Sequence, residues 1–125
     1  MPTPYDVPAF LRFVESSQSG TKTLTAAYAE MFEDSDTKPW LFARGTIDLS
    51  NMASLDVVHV KVSVVLESGG SYLVYDEMTF NGVQPAAKKV VILPSIPNVY
   101  GVKIEAYQSA GTLIDSEMVF YTAKR

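Results

Sequence analysis

The 125-residue chain contains no cysteine. Disulfides, thiolate nucleophiles and thiolate-ligated metals are excluded together, so whatever holds the fold is non-covalent. Histidine occurs once, at His59, and one imidazole without cysteine cannot complete a structural zinc site. Basic residues never run longer than Lys88-Lys89, and the formal net charge is −4. The phosphate-neutralising surface that nucleic acid or an anionic membrane requires is missing. No apolar run approaches the ~18 residues of a membrane helix. The opening residues MPTPYD lack the basic-then-apolar pattern of a secretory leader, so none is expected.

Apolar residues make up 47% of the chain and charged residues only 19%. That balance excludes disorder and is low in charge for an ordinary surface, which hints that part of it is covered by a partner. A single domain of this length buries roughly two-thirds of its unfolded surface, enough for a core without staples.

The apolar pattern is mostly of period two. Val58, Val60, Val62, Val64 and Leu66 share one face of a strand, with His59, Lys61, Ser63 and Glu67 opposite. Ser68-Gly69-Gly70-Ser71 follows as a hairpin turn, because paired glycines supply the positive φ angles tight hairpins demand. The return strand, Tyr72 to Phe80, is mixed in pattern and predicts a bulge near Asp76-Glu77. Over residues 40–49, Leu41, Ala43, Ile47 and Leu49 are expected on one face, with Phe42, Arg44, Thr46 and Asp48 on the other. Residues 22–33 fit helix and strand spacing alike, but Thr21, Thr23 and Thr25 favour strand. Lys88 to Leu93 predicts a short strand, Pro94 and Pro97 a loop, and Tyr100 to Ala106 and 112–121 two further strands. With turns every eight to twelve residues, the expectation is an all-β antiparallel sandwich of about seven strands, jelly-roll or immunoglobulin-like.

Residues 1–20 differ from the rest. Pro2, Pro4 and Pro8 enforce an extended path, Phe10, Leu11, Phe13 and Val14 follow, and Ser16 to Gly20 read as a hinge. This segment is either an edge strand of its own sandwich or an arm docking on a neighbouring subunit. The domain reading is an extended arm over 1–20 and a sandwich over 21–125.

Each catalytic pattern fails on a named ground. His59 stands on the polar face of a regular strand and no G-x-S-x-G elbow is present. Glu33-Asp34-x-Asp36 lacks the glycine and distal glutamate of a calcium loop. Asp76-Glu77 and Asp115 with Glu117 are two carboxylate pairs, but a sandwich this small leaves little material for a glycosidase cleft. The expectation is a non-enzyme with neither metal nor cofactor. The aromatics Trp40, Phe42, Tyr72, Tyr107 and Tyr121, placed on outward faces, suit a sugar-stacking surface or a protein interface.

The runs IDLSNMAS (Ile47–Ser54), SGGSY (Ser68–Tyr72), VYDE (Val74–Glu77), TFNG (Thr79–Gly82) and YQSAGT (Tyr107–Thr112) resemble small β-sandwich virion proteins of tailed phages and archaeal viruses. The resemblance covers residues ~45–125 and consists of strand and turn pieces. It implies a capsid-decorating or accessory subunit, made in the host cytoplasm and located in the virion. Such a subunit would be a homo-oligomer that binds other virion proteins and reinforces the particle. A carbohydrate-binding module is the alternative, with a glycan as partner.

Overall fold

The computed structural model describes residues 12–35 and 40–124 of the chain. Ten strands are present among them: β1 (Arg12–Glu15), β2 (Gly20–Thr23), β3 (Ala29–Asp34), β4 (Trp40–Asp48), β5 (Val57–Val65), β6 (Tyr72–Asn81), β7 (Val90–Leu93), β8 (Ile96–Asn98), β9 (Val102–Ala110) and β10 (Asp115–Lys124). The described residues contain no α-helix, only a 3-10 turn at Ala86–Lys88.

Every ladder is antiparallel, and the strands form two packed sheets. In the first, β1 and β2 lie end to end along one edge of β10, β4 lies on its other side, and β7 and β8 lie end to end beyond β4. The second runs β3-β9-β5-β6. Among the long strands only the β5–β6 hairpin stays within one sheet. The other links, β2 to β3, β3 to β4, β4 to β5, β6 to β7, β8 to β9 and β9 to β10, cross between sheets. An immunoglobulin sandwich is wired differently, with consecutive strands such as A and B adjacent in one sheet.

Between the sheets lies one core. Val58, Val60, Val62, Val102, Ile104 and Ala106 meet Phe42, Ile47, Met118 and Phe120, all buried. Phe32, Phe42 and Phe120 form its aromatic centre, with ring centroids 5.1, 5.3 and 6.4 Å apart at tilted angles. The valine face is deep only over its first three members. Val64 is half-buried, and Leu66, beyond the strand end, is 69% exposed.

Two bulges explain where simple alternation fails. On β4, Tyr121 pairs with Arg44 but Thr122 pairs with Phe42, so Ala43 is the extra residue. The bulge shifts the phase of the strand: Ile47 and Gly45 point inward, and so does Phe42, which is fully buried. The expectation of Phe42 on an outward face is thereby corrected, and Leu41 and Ala43 are only half-buried. On β6, Val62 pairs with Asp76 and Ser63 with Val74, which puts the expected bulge at Tyr75, one residue from the acidic pair. The Pro94–Pro97 segment also differs from a plain loop, because Ile96–Asn98 pairs with β4.

Among the described residues the sandwich includes Arg12–Glu15, which the expected boundary at residue 21 left in the arm. β1 pairs with β10 in the register Arg12 to Lys124 through Glu15 to Tyr121. The serine-rich stretch that reads as a hinge is bonded to the same strand: Ser16 N–H donates to Phe120 O at 2.7 Å, and Phe120 N–H donates to Ser19 Oγ at 2.9 Å. Gln18 then ties this edge to the other sheet. Its side-chain amide donates to Glu33 O and its oxygen accepts from Glu33 N–H, both at 2.9 Å. The flank made by β1, β2 and β3 is closed by polar bonds; among the described residues no such side-chain bond joins β6 to β7 or β8 on the opposite flank.

Candidate interaction surfaces

Two surfaces draw together the side chains left over from the core. The first is the outer face of the β3-β9-β5-β6 sheet. Register sets it out in rows: His59 lies between Tyr107 and Thr79, and Lys61 between Glu105 and Glu77. The His59 ring stacks on Tyr107, with centroids 4.4 Å apart and 13° between planes. Tyr28 meets the same tyrosine edge-on at 4.4 Å. Lys61 Nζ sits 4.1 Å over the Tyr28 ring and 3.7 Å from Glu105, and Lys103 reaches the same carboxylate at 3.7 Å. Burial, then Glu77, Tyr107 and Glu105, hold the Tyr28 phenol above its ordinary value.

Tyr72 belongs to the same face. Its hydroxyl donates to Glu33 Oε1 at 2.6 Å, and Lys103 Nζ lies 4.5 Å over its ring. Burial, the Glu33 bond and the neighbouring carboxylates push this phenol well above the usual tyrosine range. The side chain crosses the sheet from edge strand β6 to β3 and passes close over Gly101, where a Cβ would sit 2.8 Å from its oxygen.

His59 is held rather than poised. Nε2 lies 2.7 Å from Ser109 Oγ, the spacing of a nucleophile and its base. Nδ1, however, meets the Thr79 hydroxyl at 3.2 Å where a catalytic triad places a carboxylate. Both ring nitrogens and one ring face are therefore engaged by neighbours. Three of the acidic candidates are likewise engaged: Asp115 accepts from Thr23 and Glu117 from Thr21, at 2.6 and 2.7 Å, while Glu33 holds Tyr72. Asp36 lies outside the described residues, and among those described no three metal-binding side chains converge.

The second surface is the flank opposite β1. Here edge strands β6 and β7 expose Leu73, Val74, Tyr75, Val90 and Ile92, Tyr75 at 61%. Between the sheets at this flank opens a groove of about 280 Å³ lined by Val64, Val65, Leu66, Tyr75, Ile96, Pro97 and Val99. Its walls come from β5 and β6 on one side and the β8 region on the other. Apart from Tyr75, their side chains are aliphatic or proline. A solvent-exposed edge strand usually carries charge or a kink to prevent pairing, and on β6 the apolar run Leu73-Val74-Tyr75 precedes the charged pair Asp76-Glu77.

The five aromatics read from the sequence do not form one platform. Phe42 is in the core. Tyr72 and Tyr107 share the outer face of one sheet, where each ring is already covered on a face by Lys103 or His59. Tyr121 belongs to the other sheet, with Arg44 5.4 Å over its ring, and Trp40 heads β4 there, paired with Asn98. Of the arm residues, Phe13 and Val14 sit on β1 and are exposed, Phe13 at 67%. Phe10 and Leu11 lie outside the described residues.

The sequence pattern did not single out Leu73, Val74, Tyr75, Ile92 and Val99 as a surface, and it placed Leu66 on the valine face, from which the structure exposes it. The signal was present in the run Leu73-Val74-Tyr75, which breaks alternation and cannot all point inward from one strand. No family model, curated protein or solved structure matches the chain.

Proposed function

We propose that the protein is a non-enzymatic structural subunit of a virion, a capsid-decorating or accessory protein. It binds copies of itself and other virion subunits and reinforces the particle. The observation that carries this reading is the apolar flank. Leu66, Tyr75 and Val99 are exposed and line the groove, and the edge strands β6 and β7 of the same flank expose Leu73, Val74, Val90 and Ile92. Exposed apolar side chains concentrated on one flank beside an open groove mark an interaction site on a monomer. The strand order, β1/β2-β10-β4-β7/β8 against β3-β9-β5-β6, supports a jelly roll, an architecture shared by capsid and lectin domains. One fold serves many functions, so the flank, not the fold, carries this reading. The resemblance over residues ~45–125 supplies the virion context.

The test is the mass of the purified protein by light scattering across a hundredfold concentration range. It is paired with co-sedimentation on capsids of the virus whose genome carries the gene. Self-association and capsid binding, both weakened by Tyr75→Lys and Ile92→Lys, are the expected results. A chain that stays monomeric and leaves capsids unbound overturns the reading.

A further inference from the structure

We propose that the flank groove is the seat of the N-terminal segment of a second copy of this chain, which inserts Phe10 and Leu11. The inference rests on reading the flank as an assembly surface and names its occupant. The chain outside the described residues at this end is Met1–Leu11, MPTPYDVPAFL. It contains neither lysine nor arginine and a single acid, Asp6, and its three prolines pre-order an extended path. An apolar, pre-extended strand is the right chemistry for an apolar groove, because little conformational entropy is lost on seating it.

Placement decides between the chain's own groove and a neighbour's. Arg12 pairs with Lys124, Leu41 with Ala123, and Trp40 with Asn98. The segment therefore leaves the sandwich at the same end as Asn98, beside which Pro97 and Val99 line the groove. Between Arg12 and Asn98 lie three strand spacings, roughly 14 Å. Leu11 and Phe10 are one and two residues from Arg12 and reach at most about 8 Å from it. Within one copy, then, the two most apolar residues of the segment fall short of the groove. Only Met1 to about Pro8 would arrive.

Between two copies the geometry reverses. β1 is the edge of one flank and the groove opens on the opposite flank. Sandwiches set side by side place the β1 edge of one against the groove of the next. The exposed Phe13 and Val14 on β1 continue the apolar stretch that Phe10 and Leu11 begin. Donor and acceptor are different patches, so the contact is heterologous and builds a ring or a filament, not a two-fold dimer.

The absence of native cysteine makes the test direct. Full-length Phe10→Cys and Val99→Cys variants are oxidised separately and as an equimolar mixture, then resolved on non-reducing gels. The expected result is a disulfide-linked dimer at least tenfold more abundant in the mixture than in either variant alone. A Phe10→Cys/Val99→Cys double variant is expected to give a ladder of linked oligomers. A mixture no better than its parts, or a double variant that closes only within one chain, overturns the inference. Phe10→Ser/Leu11→Ser, which alters no described residue, is expected to weaken self-association at least tenfold; unchanged association overturns it too. Oligomers that form and bind capsids without cross-linking would refute this occupant while leaving the assembly reading intact. Monomers that leave capsids unbound would remove both.

Discussion

Replacing Gln108 with leucine tests the reasoning most sharply, because the side chain is polar, 2% exposed and fully engaged. Its amide nitrogen donates to Ala110 O at 2.9 Å and Thr112 O at 2.8 Å, and its oxygen accepts from Ile114 N–H at 3.0 Å. It thereby organises the turn between β9 and β10. That turn in turn holds Leu24, whose N–H donates to Ile114 O at 2.9 Å. Leucine preserves most of the volume and removes all three bonds. The two carbonyls belong to exposed residues and can turn to water, so each loss costs about 0.5–1.5 kcal/mol. Ile114 is half-buried, and stranding its amide costs about 1–3 kcal/mol. The sum is about 2–6 kcal/mol, centred near 4, a fall in Tm on the order of 10–20 °C for a domain of this size. Urea unfolding at constant m-value measures it, and hydrogen exchange locates it, with the Ile114 and Leu24 amides losing protection first. A cost under about 1 kcal/mol, or unchanged exchange at those amides, would refute the claim that Gln108 organises the turn.

Phe42→Ala is expected to cost about 3–5 kcal/mol in urea unfolding, since it empties the centre of the aromatic cluster, while Tyr121→Ala on the outer face costs under about 1 kcal/mol. Gly111 has φ +85°, and a Cβ there would run into the Asp56 carboxylate, so Gly111→Ala is expected to lose about 2 kcal/mol or more by the same measurement. The raised folded-state pKa of Tyr72 favours its protonated form. Its contribution is whole below the ordinary tyrosine value near 10 and fades as pH rises through the folded value. Stability measured above pH 10 should therefore decline less steeply in Tyr72→Phe than in the parent protein.

The outer strip of the β3-β9-β5-β6 sheet was partly legible in advance. His59 and Lys61 alternate with valines, so their outward direction followed from period two alone. Their partners did not. Tyr107 and Glu105 come to His59 and Lys61 only through the β5–β9 register, across more than forty residues. Tyr28 arrives from the loop before β3. Phe42 was misplaced because a bulge at Ala43 changes the phase of a strand, and that bulge is set by the pairing with β10 rather than by residues near it. The Tyr75 bulge was nearly located because the β6 pattern is itself broken.

The sequence by itself determined that this chain is a sandwich of antiparallel strands. Period-two alternation and glycine turns act over a few residues, and only packed sheets can bury faces so patterned. The positive φ of Gly69, Gly82 and Gly111 falls at the turns where their neighbours call for it. Only the tertiary structure decided the rest. It paired β1 with the last strand, closed one flank through Gln18 and left the other apolar. The reason is that an exposed face is defined by what fails to cover it, and cover comes from strands distant in sequence. Leu66 continues the alternation of Val62 in the sequence, yet one is exposed and the other buried, because β5 ends at Val65 and leaves Leu66 beyond the paired sheet.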